Sequence, residues 1–182
     1  MSKPTYKVTI RVFVKEMVAF YKDNSEYGTT PDKAYPAEMF YELFAPSATF
    51  YGSLRNIMVF QSNCNYQWAI ESTDGTPLRF STSTDKALME MEMITETPPT
   101  KDKWKKMFNF NGDPDVGPDG KLKVKDKKTD ENLFELETSS DVSKGGKVKY
   151  SILFEFEIDG KTKYGIVDPG GDVIMPPPGW PY

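Results

Sequence analysis

Four glutamates stand in pairs two residues apart, Glu90 with Glu92 and Glu155 with Glu157, each pair inside an alternating segment. On a strand this spacing puts both carboxylates on one face with Cα atoms about 7 Å apart. Acid/base pairs in glycoside hydrolysis work at such separations. The same pattern describes any strand with a solvated face, and no other residue marks a sugar cleft, so a carboxylate-based hydrolase ranks last among the readings. Asp113, Asp115 and Asp119 in GDPDVGPDG offer three hard oxygen ligands in a short loop. A calcium loop counted from Asp113 needs glycine at its sixth place and a bidentate acid at its twelfth. Pro118 and Val124 stand there instead. The segment reads as Asp, Pro and Gly turns.

Cys64, in SNCNY, is the single cysteine, and the chain has no histidine. Without imidazole there is no Ser-His-Asp or Cys-His catalysis and no histidine zinc site. A reactive Cys64 would need a lysine, an arginine or a helix terminus beside it. A buried, unreactive thiol is the simpler reading. From sequence, then, no catalytic residue, metal ligand or cofactor is assigned.

Residues that could make contacts are more numerous. Met89, Met91 and Met93 share one face opposite Glu90 and Glu92. Methionine fills cores, and an exposed stripe of it makes an adaptable surface for self-association. Pro176-Pro177-Pro178-Gly179-Trp180-Pro181-Tyr182 reads as an extended arm with two aromatic anchors, Trp180 and Tyr182. Tyr66, Trp68 and Trp104 are the candidates for exposed aromatics that would hold a sugar or another small ligand. Lys121, Lys123, Lys125, Lys127 and Lys128 read as guards on an exposed sheet edge. A nucleic-acid platform would interleave aromatics with the charges, whereas Leu122 and Val124 stand between these lysines. The formal net charge of −4 also argues against nucleic acid or an anionic membrane as partner.

The elements that must position these residues are mostly strands. Aromatics make up 14% of the 182 residues, which suits a packed, strand-rich domain. Tyr6, Val8, Ile10, Val12 and Val14 alternate with Lys7, Thr9 and Arg11, a half-buried strand. Glu16 to Tyr21 continues it or forms a helical turn. Pro36 to Phe44 (PAEMFYELF) places Met39, Phe40, Leu43 and Phe44 at helical spacing after a proline and is the best helix candidate. Thr97–Lys103 and Asn111–Gly120 read as linkers. The strongest element is Lys147 to Ile158, with Val148, Tyr150, Ile152, Phe154, Phe156 and Ile158 on the core face. Lys147, Lys149, Ser151, Glu155 and Glu157 take the solvent face. Asp159-Gly160 then predicts a hairpin to Lys161–Val167.

This closing third resembles the end of the bacterial PixA/AidA inclusion-body protein family. The residues concerned are Val148–Ile158, Asp159-Gly160, Tyr164-Gly165-Ile166-Val167, Asp168-Pro169 and Val173-Ile174, with Tyr6–Val14 in the place of an opening strand. The resemblance implies a small cytoplasmic β-sandwich that forms inclusions, and it brings no catalytic residue with it.

The expected fold is mainly β: an antiparallel β-sandwich of immunoglobulin-like or jelly-roll type with at most one short helix. Residues 1–175 form one domain, and 176–182 a Pro/aromatic tail. The expected function is non-enzymatic self-assembly of an inclusion-body, crystal-forming or storage type. The chain itself is then the partner, with neither nucleic acid nor membrane. The alternative is a small-ligand or carbohydrate-binding module. With Met1 as the start and no apolar leader behind it, a cytoplasmic location is expected.

Overall fold

The computed structural model describes residues 2–51, 54–125, 132–142 and 146–168. The Pro176–Tyr182 arm with Trp180 and Tyr182, the Val173–Met175 run, and Lys127 and Lys128 lie outside the described residues. The protein is mainly β. Its strands are β1 (Thr5–Val12), β2 (Tyr35–Pro36), β3 (Tyr41–Phe44), β4 (Phe50–Tyr51), β5 (Leu54–Phe60), β6 (Asn65–Ser72) and β7 (Leu78–Phe80). They continue as β8 (Met89–Met93), β9 (Asp115–Val116), β10 (Leu122–Val124), β11 (Leu133–Glu137), β12 (Gly146–Ile158) and β13 (Lys161–Val167). Two α-helices, α1 (Val14–Phe20) and α2 (Lys101–Met107), exceed the single helix expected.

One sheet runs β11-β6-β1-β3 and the other β2-β13-β12-β8-β10-β9. In the second, β12 also pairs with β5 and β7, and β4 pairs with β5. The pairing is mixed, which corrects the antiparallel expectation: β1 lies parallel to β6 and β13 parallel to β2. Everything from α1 to β5 intervenes between β1 and β6, and so long an excursion lets the chain return in the same direction. Rings from the two sheets meet in one core: Phe60 and Tyr66 at 4.6 Å, Trp68 and Tyr150 at 5.2 Å, Phe80 and Phe134 at 4.8 Å between centroids.

Local pattern gave β1 and the β12–β13 hairpin correctly. Val8, Ile10 and Val12 are fully buried. Asp159 and Gly160 adopt φ of 51° and 68°, the left-handed pair that a two-residue hairpin needs. Across the hairpin Phe154 faces Gly165, where a Cβ would sit 2.2 Å from the ring, so glycine is required for the ring to lie over the strand.

Three local readings fail for tertiary reasons. PAEMFYELF is not a helix: residues 37–40 turn, with the Phe40 N–H donating to Ala37 O at 2.8 Å, and β3 then pairs with β1 over four residues. A helix this short is marginal alone, whereas the β1 ladder satisfies its backbone. The linker reading of Thr97–Lys103 gives way to α2, which buries Trp104 and Met107 at i, i+3. On β12, Glu155 is buried rather than solvent-facing, as is Leu153. Residues 81–88 leave the sheet between β7 and β8 yet stay bonded to Leu153 at both ends, through Ser81 N–H to Leu153 O and Leu153 N–H to Leu88 O.

Candidate functional site

The residues singled out from sequence are mostly structural. Met89 and Met91 are fully buried and Met93 is 7% exposed, so the stripe faces the core and offers no sticky surface. The physical reason is position: β8 sits between β12 and β10, and its apolar face points into the shared core. Tyr66, Trp68 and Trp104 are likewise fully buried, which corrects their reading as exposed ligand platforms. The Tyr66 hydroxyl accepts from Gln61 N–H at 2.8 Å, and the Trp104 indole N–H donates to Gly120 O at 2.8 Å. Cys64 is buried, its thiol donates to Ser62 O at 3.2 Å, and burial pushes its pKa up. Such a thiol is a poor nucleophile.

The charged groups are spread out. Lys121 and Lys125 reach Glu92 and Asp115 on the neighbouring strands, because β10 lies between β8 and β9 and is not an outermost strand. That overturns the edge-guard reading. Asp113 pairs with Lys105 at 2.6 Å, and the Asp119 carboxylate accepts from Lys121 N–H at 3.1 Å. Among the described residues no group of three or more His, Cys, Asp or Glu could hold a metal ion. Glu155 accepts from Arg79 Nε at 2.6 Å and lies 3.3 Å from the hydroxyls of Ser81 and Thr82, while Glu157 beside it is exposed. Both glutamates line a cavity of about 560 Å³ with Arg79, Glu71 and Thr162.

A second cavity of about 560 Å³ opens between β10 and β11, one strand from each sheet. α2 delivers its first wall. The helix stops at Met107, Phe108 bridges to Thr138, and the Asn109 N–H donates to Glu137 O at 2.8 Å, so 108–110 lies along the outer edge of β11. Phe108 and Phe110 stand on this wall, at 6.1 Å and edge to face. Phe134 of β11 forms the opposite side, stacked on Trp68 at 5.8 Å with the planes 2° apart. Leu122 and Val124 of β10 and Leu136 of β11 complete the apolar lining.

The carboxylates around this cleft are each held by a lysine or an amide at its rim. Asp113 is held by Lys105 and Asp115 by Lys125 at 2.8 Å, and these hydrogen bonds depress both carboxyl pKa values. Glu137 accepts from Lys3 and from the Asn109 amide, which lowers its pKa as well. Gln67 donates to Glu135 at 2.6 Å.

One polar feature of the cleft remains open. Ile70 N–H donates to Asn132 O and Thr138 N–H to Cys64 O, which fixes the parity of the β11–β6 ladder. By that parity the backbone of Phe134 faces Trp68 on β6. Leu133 and Glu135 alternate with it, so their N–H and C=O groups point away from β6 to the open side. Among the described residues no backbone partner for them is found.

Sequence reasoning missed Phe108, Phe110, Phe134 and Val124 as site residues. The only local signal was the Phe-Asn-Phe run at 108–110. No family model matches the chain, and no curated protein matches it. No helix among the described residues is long and apolar enough to cross a membrane.

Proposed function

We propose that this protein is a non-enzymatic binding protein whose cleft between β10 and β11 takes up an apolar, ring-bearing group. The supporting observation is the union of three phenylalanines with two open backbone positions, Leu133 and Glu135, in one concave site. Ligand sites are typically concave and mostly apolar, with few polar groups that set orientation. The rim carboxylates are engaged by lysines and amides, which favours binding over acid/base chemistry.

An environment-sensitive dye, anilinonaphthalene sulfonate, tests this. Wild-type protein is expected to enhance its fluorescence with one saturable site, and Phe110→Glu to weaken that binding at least tenfold. Phe110 is only partly buried, so the substitution spares the core. Equal dye binding by both proteins would overturn the reading.

A second reading is self-association of the inclusion-forming kind in the cytoplasm. It is supported by the resemblance of the closing third and by the composition of Pro176–Tyr182. Met89, Met91 and Met93 have no part in it, being buried.

A further inference from the structure

We infer that the group received by the cleft is an extended peptide segment of a partner protein, which adds a strand to the open edge of β11 and sets an aromatic side chain opposite Phe134. This rests on the reading of the cleft as a binding site and names its occupant.

The fold already makes such a contact once on the same edge. Leu133, Glu135 and Glu137 turn their backbone groups away from β6. At the Glu137 end the chain's own Met107-Phe108-Asn109 meets them: the Asn109 N–H donates to Glu137 O and the Ser139 N–H to Met107 O, each at 2.8 Å. Phe108, opposite Thr138, buries its ring against Phe60 at 4.9 Å. After Asn109 the chain departs towards β9. Phe134 stands on the same edge with the same parity as Thr138, and Leu133 and Glu135 are open on either side of it. A guest strand here continues, in line, a pairing that residues 107–109 begin.

Backbone chemistry favours a peptide over a small ring compound. Leu133 and Glu135 each offer one donor and one acceptor, about 7 Å apart by the strand repeat. A single ring fills the apolar part of the cleft and leaves one of these positions unmet. An antiparallel strand meets both, because its alternate residues exchange N–H and C=O bonds at the same spacing. Addition of a strand to an exposed edge is a general mode of peptide recognition, in which the main chain supplies affinity and alternate side chains specificity.

The side chains then specify the guest. Cross-strand partners share a face, so the residue opposite Phe134 points where Phe134 does, into the lining made by Phe110, Leu122 and Val124. An aromatic residue suits that place. Its two neighbours lie on the outer face, opposite Glu135 and Leu133. Glu135 is exposed and accepts only from the uncharged Gln67 amide, so a basic residue complements it. Leu133 is half-buried and suits a β-branched partner. Neither neighbour can be proline, which lacks the N–H.

The acetylated and amidated peptide Thr-Lys-Phe-Val-Thr, titrated into the full chain, tests this. It sets lysine opposite Glu135, phenylalanine opposite Phe134 and valine opposite Leu133. Saturating peptide is expected to slow hydrogen exchange of the Leu133 and Glu135 amides about tenfold or more. Three N-methylated versions separate backbone from ring. A methyl on the lysine or the valine nitrogen removes a bonding N–H and should weaken binding about tenfold. A methyl on the phenylalanine nitrogen, which faces away from β11, should change affinity less than about twofold. Equal affinity of the three methylated peptides would overturn strand addition and leave a small ring compound as the occupant. Unchanged exchange at Leu133 and Glu135, or no binding of the peptide, would also overturn it. The dye separates the two levels: where it fills a site that Phe110→Glu abolishes, the cleft stands even though strand addition falls, and where it does not, both fall.

Discussion

The cavity around Glu155 and the cleft between β10 and β11 each enclose about 560 Å³, yet their polar groups are disposed in opposite ways. In the first, the buried carboxylate is saturated from within by Arg79, with Ser81 and Thr82 close by. In the second, the rim carboxylates are held by lysines and amides, the walls carry phenylalanines, and the backbone at Leu133 and Glu135 faces outward. Equal volume does not make equal sites. Groups already satisfied by the fold hold it together, and groups still open are what another molecule can use.

The sharpest way to break this comparison is at Glu155. Glu155→Lys sets a second cation against Arg79 in a buried place and is expected to cost about 3–5 kcal/mol. Glu157→Lys, two residues along on the exposed side, should stay within about 0.5 kcal/mol of wild type. Urea denaturation compares them, and similar losses would show that Glu155 is not locked into the fold.

Phe134→Ala comes next. The ring is half-buried and stacked on Trp68, so its loss should cost about 2 kcal/mol and also abolish dye binding. Phe110→Glu sharpens the contrast, with stability within about 1 kcal/mol of wild type and the same loss of dye. Parallel loss of stability in both would make the cleft a piece of core.

The smallest effect belongs to the rim. The hydrogen bond from Lys125 holds Asp115 below its ordinary 3.8, so the pair stabilises the fold above that pH and is lost as pH falls through the lowered value. Asp115→Asn should lower Tm by less than about 2 °C above pH 5, as expected of an exposed pair. The difference should vanish in acid. A difference that grew in acid would contradict the assignment.

Much of the fold was legible because its signals are local. The alternation of β1 and β12 and the Asp159-Gly160 turn each involve residues close in sequence, so backbone geometry alone reads them. PAEMFYELF was ambiguous for the same reason: its apolar spacing suits a helix, and only the presence of β1 beside it selects a strand. The cleft was not legible, since Phe110, Val124 and Phe134 come from three separate segments.

By itself the sequence determined the mainly β class, the strongest hairpin and the absence of histidine chemistry. Tertiary structure decided which apolar faces are covered. It buried Met89, Met91 and Met93 by turning that face of β8 into the core shared by the two sheets, and it made β1 and β6 parallel. It also removed Glu155 from solvent through an arginine 76 residues away. Periodicity states which side chains share a face, but burial depends on what the distant chain lays against that face.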